Sequence, residues 1–260
     1  LGLVITMWRY IDEGKPRYLY IGAAILALAF ATKESAYVVT ATLGGYLFLG
    51  MVIRSWPSIR RDVRVGNTSA PAALGSLVSG AWTTIRQAGG LQHISRPARF
   101  FILLFTLSLP LGAALVSVFQ DTALLSWSNL VLAKPVGNVA IGAPSGGGLV
   151  VAAVVVGALI WVSASIGVKW LGRGWWLYGA IFMGTLVVLY STFFTNNSGI
   201  GSGIWQSLGY WLAQQDVARG GQPIYYYLII TPLYEFLPLV FGIAGGIYYV
   251  RRRDRFGLFL

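Results

Sequence analysis

Glu235 sits between Pro232 and Pro238 inside the apolar run Tyr225 to Val250, an unusual place for an ionisable group. At about 1.5 Å per residue the run crosses a ~30 Å hydrocarbon core with some tilt, which puts Glu235 near the bilayer midplane. A carboxyl group at that depth costs about 3 kcal/mol on insertion scales, so something must compensate it. Each proline removes a backbone donor and disturbs the carbonyl one turn earlier, at Leu228 and Tyr234. Such breaks are tolerated where protein or a wet cavity satisfies the freed groups. The pattern predicts a kinked helix with Glu235 facing a cavity. Its plainer alternative is a neutral or paired carboxyl that only locks helices together.

Two further clusters could do chemistry. Lys33-Glu34 separates two apolar segments at an outer turn. A lysine there can grip a lipid phosphate as a point charge, and Glu34 can orient it or meet a sugar hydroxyl. A snorkelling lysine beside an interfacial glutamate is the bland alternative. Asp216, Arg219 and Gln222 precede Tyr225, Tyr226 and Tyr227, so hydrogen-bonding groups stand beside aromatic faces. Sugars need both kinds of contact, although tyrosines also serve as ordinary interface anchors. Asn196-Asn197-Ser198 and Asn67-Thr68-Ser69 fit the N-glycosylation pattern. No phosphate-binding loop, zinc-protease helix or serine-hydrolase elbow is present. The chain has no cysteine, which excludes disulfides, thiolate catalysis and Cys-ligated metals, and its only histidine is His93. Nothing in the sequence calls for a cofactor. A divalent metal stays open, because carboxylates that would bind one can lie upstream.

The elements that must position these residues are membrane helices. Of 260 residues, 56% are hydrophobic and 10% charged, against about 25% charged in soluble domains. An all-α, polytopic bundle of about six spans follows, at about 18–32, 35–53, 100–119, 148–168, 175–194 and 225–250. Pro110 falls in the middle of the third. The net charge of +11 does not point to nucleic acid, because the basic residues flank apolar spans. Of 19 Lys and Arg residues, all but Lys33, Lys134 and Arg219 fall on one side of the predicted spans. That side is cytoplasmic by the positive-inside rule, in a multi-pass protein of the cell membrane.

Within the cytoplasmic loop 54–99, Ser69 caps and Pro71 starts an amphipathic helix that Gly89-Gly90 ends, suited to lie on the inner leaflet. The extracytoplasmic loops are 120–147 and 195–224. In the second, Ile204, Trp205, Leu208, Trp211 and Leu212 make an apolar stripe opposite Gln206, Gln214 and Asp216. This predicts a helix resting on the outer face, with Trp205 and Trp211 in the aromatic belt and Gly220-Gly221 as its stop. Leu1 opens a stretch that reads as the tail of a membrane helix, and FGLFL at the end reads as the start of another span. The chain therefore reads as an internal piece of a larger protein.

Short blocks carry a family resemblance. AFATKESAY (Ala29 to Tyr37), after a short apolar helix and a basic turn, resembles the Lys-Glu element of GT-C membrane glycosyltransferases, in their protein-mannosyltransferase-like branch. Tyr210-Trp211, ARGGQPIYYY (Ala218 to Tyr227) and LYEFLPL (Leu233 to Leu239) are similar to the prokaryotic members described as flippase-activity-associated. These are related to dolichyl-phosphate-mannose protein mannosyltransferases. The similarity extends over most of the chain, making 1–260 part of one GT-C-like transmembrane domain.

The resemblance implies an integral membrane enzyme that moves sugar from a polyprenyl-phosphate donor to an acceptor outside the cytoplasm. It implies that Lys33 and Glu34 border the donor site, with Lys33 and Arg219 offsetting phosphate charge. Gln222, Tyr225, Tyr226 and Glu235 would line the cavity. The family's catalytic acid lies in a first extracytoplasmic loop, and no residue of this chain matches it; Asp121 does not. Partners are the bilayer and a lipid-linked sugar, with no nucleic acid. A transporter or flippase of lipid-linked sugars and a non-catalytic membrane subunit are the alternatives.

Overall fold

A computed structural model describes residues 1–64, 94–120, 122, 130–133, 141–214 and 225–252. The expected inner-leaflet helix, His93, Asp121, Lys134, Asp216, Arg219 and Gln222 lie outside them. The described residues are helical apart from short connections and one isolated bridge between Val131 and Ser145. The chain forms two units, Leu1–Gln214 and Gln215–Leu260.

In the first unit α1 (Gly2–Glu13) and α2 (Arg17–Thr32) lead into α3 (Ser35–Arg64). Gly14, at φ 72°, ends α1 by donating its N–H to the Tyr10 carbonyl, the left-handed stop that glycine takes without strain. Arg96 completes that end. Its Nη1 donates to the carbonyls of Ile11 at 3.1 Å and Asp12 at 2.6 Å, placing a cation where a helix C-terminus favours one. Glu13 lies beside Lys15 (2.7 Å), Arg9 (3.2 Å) and Arg17 (3.5 Å), and Tyr18 Oη donates to it at 2.8 Å. The Lys15 hydrogen bond is the chief reason its carboxyl is held down at about 2. Glu13 thus anchors a basic turn.

α3 continues as helix to Arg64, past the span end expected near residue 53. Charge ends a membrane crossing without ending a helix, so the basic residues from Arg54 onward did not mark the boundary. α4 (Arg96–Ser108) starts at Ser95, whose side chain accepts from Ala98 N, and Pro97 lies in its first turn. At Leu109 the helix tightens into a 3-10 segment, Leu109–Phe119, within the stretch that the sequence predicted as the third span. Pro110 is the cause, since it cannot donate to the Thr106 carbonyl. Ser163 Oγ of α5 (Gly147–Leu171) donates to that carbonyl instead. Thr106 Oγ1 donates to Ile102 O at 2.7 Å and accepts from Trp175 Nε1 at 3.0 Å. A proline break inside an apolar bundle is thereby satisfied by neighbouring helices. Ser163→Ala is expected to lower stability by about 0.6–1.7 kcal/mol, read as thermal unfolding in lipid nanodiscs. A Pro110→Ala background should shrink that loss, and an equal loss in both backgrounds would detach Ser163 from the proline.

Beyond a 3-10 turn at Gly172–Gly174, with φ 73° at Gly172, runs α6 (Trp175–Tyr190). α6 packs along α2, and α5 along α4. Phe100, Leu103 and Phe182 are fully buried among these helices. The outer surface is apolar: Val150, Val154 and Trp161 of α5 are 65%, 65% and 72% exposed. Such a surface needs lipid around it. Among the described residues two helical stretches are long and apolar enough to cross a membrane: Arg96–Phe119, and the 44 residues Gly147–Tyr190. Arg17–Thr32 and Ser35–Met51 are shorter apolar helices.

The helix expected in the loop after the fifth span is present as α7 (Ser198–Gly201), a π-helical turn (Ser202–Gln206) and α8 (Ser207–Ala213). Its apolar stripe is not wholly interfacial. Trp205 is 3% exposed and packs with Leu208 on Ala113, Ala114, Leu132 and Ala152. Trp205 Nε1 donates to Leu132 O at 2.9 Å, so this tryptophan serves the core and not the aromatic belt. Trp211, by contrast, is 43% exposed.

In the second unit the predicted sixth span is two helices, α9 (Tyr226–Tyr234) and α10 (Phe236–Arg252), meeting at 95°. The break falls on Glu235, between the two prolines.

Candidate functional site

The turn that carries Glu34 is short because α2 stops at an extended residue. Lys33 has φ −161° and ψ 144°. Its carbonyl accepts from Ala36 N at 3.0 Å, and Glu34 O accepts from Tyr37 N at 3.1 Å, which starts α3 at once. Two tyrosines then clamp the turn to the rest of the unit. Tyr190, at the end of α6, donates from Oη to Phe30 O at 3.1 Å. Tyr37 Oη donates to Leu111 O at 3.2 Å and lies 3.0 Å from Ser207 Oγ. Phe30 fills the space between, edge-on to Tyr37 with ring centroids 4.9 Å apart.

This scaffold leaves an open cleft of about 440 Å³ between the turn and the α7–α8 segment. That volume falls in the ~300–1,000 Å³ range of small-molecule sites. Glu34 supplies its one charged lining group among the described residues. Around it stand Asn196, Gln206, Ser202, Tyr190 and Tyr210. Gln206 is oriented by donating from Nε2 to Ile141 O at 3.0 Å. Asn196 Oδ1 accepts from Ser198 Oγ at 2.6 Å. Gly203 lets the Tyr190 ring pack directly against the α7–α8 segment, since a Cβ there would come within 2.2 Å of the ring.

A carboxylate facing amides, hydroxyls and phenol rings suits a neutral, polyhydroxylated ligand. Hydroxyls donate to the carboxylate and the amides do both jobs, while aromatic faces receive C–H surfaces. A bare anion is disfavoured beside Glu34 unless a cation comes with it. Among the described residues no cluster of His, Cys, Asp or Glu could hold a metal ion.

Of the residues singled out from sequence, Glu34 lines the cleft, and Lys33, exposed, stands next to it in the turn. Tyr225, Tyr226 and Glu235 belong to the second unit, where Tyr225 and Glu235 are exposed and Tyr226 is half-buried. Sequence reasoning missed Tyr37, Tyr190, Asn196 and Ser207. The polar face opposite the Trp205 stripe, running through Ser202, Gln206 and Tyr210 at helical spacing, was the available signal.

The rim between Tyr190 and Asn196 is backbone that sequence does not announce. Thr192, Phe193 and Phe194 have φ of 50°, 54° and 67°, a left-handed conformation that costs non-glycine residues about 1–2 kcal/mol each. These three residues end α6 at Tyr190, short of the span end expected at Phe194.

Comparison with family models, with curated proteins and with solved structures gives no match for this chain.

Proposed function

We propose that the chain is part of a GT-C-type membrane glycosyltransferase whose Glu34 cleft receives the sugar of a polyprenyl-phosphate donor outside the cytoplasm. The observation that carries this is the cleft itself: one carboxylate, from the Lys-Glu turn, set among amides, hydroxyls and tyrosines. About six crossings fit the helices, because the 44-residue stretch Gly147–Tyr190 is roughly twice the length one crossing requires. The basic loops then lie in the cytoplasm, and Glu34 lies on the far side.

In this reading an acceptor hydroxyl attacks the anomeric carbon, the carbon–oxygen bond to phosphate breaks, and polyprenyl phosphate leaves with the bonding pair. The acceptor proton passes to a base that is not assigned to this chain. Glu34 holds sugar hydroxyls in place. Lys33, at the rim, offsets the charge on the departing phosphate, the role also expected from sequence for Arg219.

The 95° break at Glu235 favours a second reading, a transporter of lipid-linked sugars, since such proteins build their paths from broken helices. Reconstituted vesicles loaded with labelled polyprenyl-phosphate sugar and an acceptor separate the two. The transferase reading expects label to become covalently attached to the acceptor. Label that crosses the bilayer unaltered would replace it with the transporter.

A further inference from the structure

The left-handed turn after α6 has two properties that belong together. Its apolar side chains point outward: Phe193 is 71% exposed and Phe194 63%. Its backbone donors are satisfied from within. Ser191 N donates to Val187 O at 3.0 Å, Thr192 N to Leu189 O at 3.1 Å, and Phe193 N to Val188 O at 2.8 Å. Phe194 N donates to Ser191 Oγ at 2.9 Å, Thr195 N to Thr192 O at 3.3 Å, and Asn196 N to Ser191 O at 2.8 Å. The Thr195 hydroxyl donates back to Thr192 O at 2.6 Å.

A turn in water has no need of such closure, because water serves its N–H groups. In hydrocarbon every unserved donor is costly, so a turn whose N–H groups are all served enters it at lower cost. The surroundings agree. No Asp, Glu, Lys or Arg occurs from Gly174 to Gln215, so no charge holds this segment at the aqueous surface. The turn also continues α6 directly, at the end of the stretch Gly147–Tyr190, which is long and apolar enough to cross a membrane.

We infer that the Thr192–Phe194 turn is immersed in the acyl region of the bilayer, with Phe193 and Phe194 in contact with lipid chains. Left-handed backbone is what lets a reversal of the chain close its own hydrogen bonds and still present two adjacent aromatic rings outward. Because Tyr190 and Asn196 on either side line the cleft, this part of its rim lies at lipid level. The immersion stands on the turn alone. Only its consequence, that a lipid-borne ligand meets the cleft from the bilayer, rests on the glycosyltransferase reading.

The chain has no cysteine, so single cysteines can be labelled without background from it. Phe193→Cys and Phe194→Cys would each carry a nitroxide, with the chain in phosphatidylcholine–phosphatidylglycerol nanodiscs. Collision rates with oxygen, which concentrates in the bilayer, and with a water-soluble nickel chelate report depth. Val154→Cys on the apolar face of α5 marks the lipid end of the scale, and Lys15→Cys, in the exposed charged turn around Glu13, marks the water end. Both Phe sites are expected to collide with oxygen several-fold more than with nickel, close to Val154. Nickel-dominated collision at both, close to Lys15, would overturn the inference whatever the transfer assay shows. Each exposed site reads the same turn, so the answer survives if one variant fails to fold.

Discussion

Glu34→Gln in the full-length protein is expected to lower sugar transfer by roughly 10- to 100-fold while leaving the melting temperature unchanged. A hydrogen bond to a charged group contributes about 1.5–3 kcal/mol, and each ~1.4 kcal/mol is a factor of ten. Glutamine keeps the shape and one acceptor but loses the charge, so it isolates the carboxylate. The turn does not depend on that carboxylate: the backbone bonds of Lys33 and the Tyr37 and Tyr190 hydroxyls hold it. Stability and transfer should therefore separate. Equal loss of both would make Glu34 a structural residue, and loss of neither would remove it from the site.

Gly167→Ala should destabilise the bundle by about 1–3 kcal/mol, the usual cost of overpacking a filled core. A Cβ on Gly167 would lie 2.1 Å from Trp175 Nε1 and 2.3 Å from its Cδ1 and Cε2. The ring, 6% exposed, cannot withdraw without giving up its bond to Thr106 Oγ1, itself part of the network around the Pro110 break. Thermal unfolding in nanodiscs measures the loss. In a Trp175→Leu background the same substitution should cost far less, because residues in contact couple. An undiminished cost there would place the clash elsewhere.

The sequence was readable where composition and breakers decide the outcome. Apolar runs gave α2 and α5 to within a few residues, since a membrane helix needs little beyond length and hydropathy. Pro232 and Pro238 marked a break, and it falls on Glu235. What the sequence did not disclose was set by contacts distant in the chain. Pro110 marked a disturbance within the third span, but not that the span would continue as a 3-10 segment with Ser163, from another helix, bonded to the orphaned carbonyl. Trp205 looked interfacial on a helical wheel. Leu132 gave its indole a partner and drew it inward.

The site divides in the same way. Glu34 was visible because a charged pair between apolar helices is rare. Asn196, Gln206 and Tyr190 are ordinary residues that become a site only when α6, the α7–α8 segment and the α2–α3 turn converge. Phe193 and Phe194 gave no signal, because left-handed backbone at phenylalanine has no sequence signature.

Photo-crosslinking tests the central claim most directly, that a sugar sits against Glu34. A polyprenyl-phosphate sugar with a diazirine on the ring would be irradiated with the purified full-length protein, and adducts mapped by mass spectrometry. The expected result is labelling of Glu34, Tyr190 and the Asn196–Tyr210 segment, suppressed by unlabelled donor. Labelling that such a donor suppresses but that spares all of these residues would contradict it.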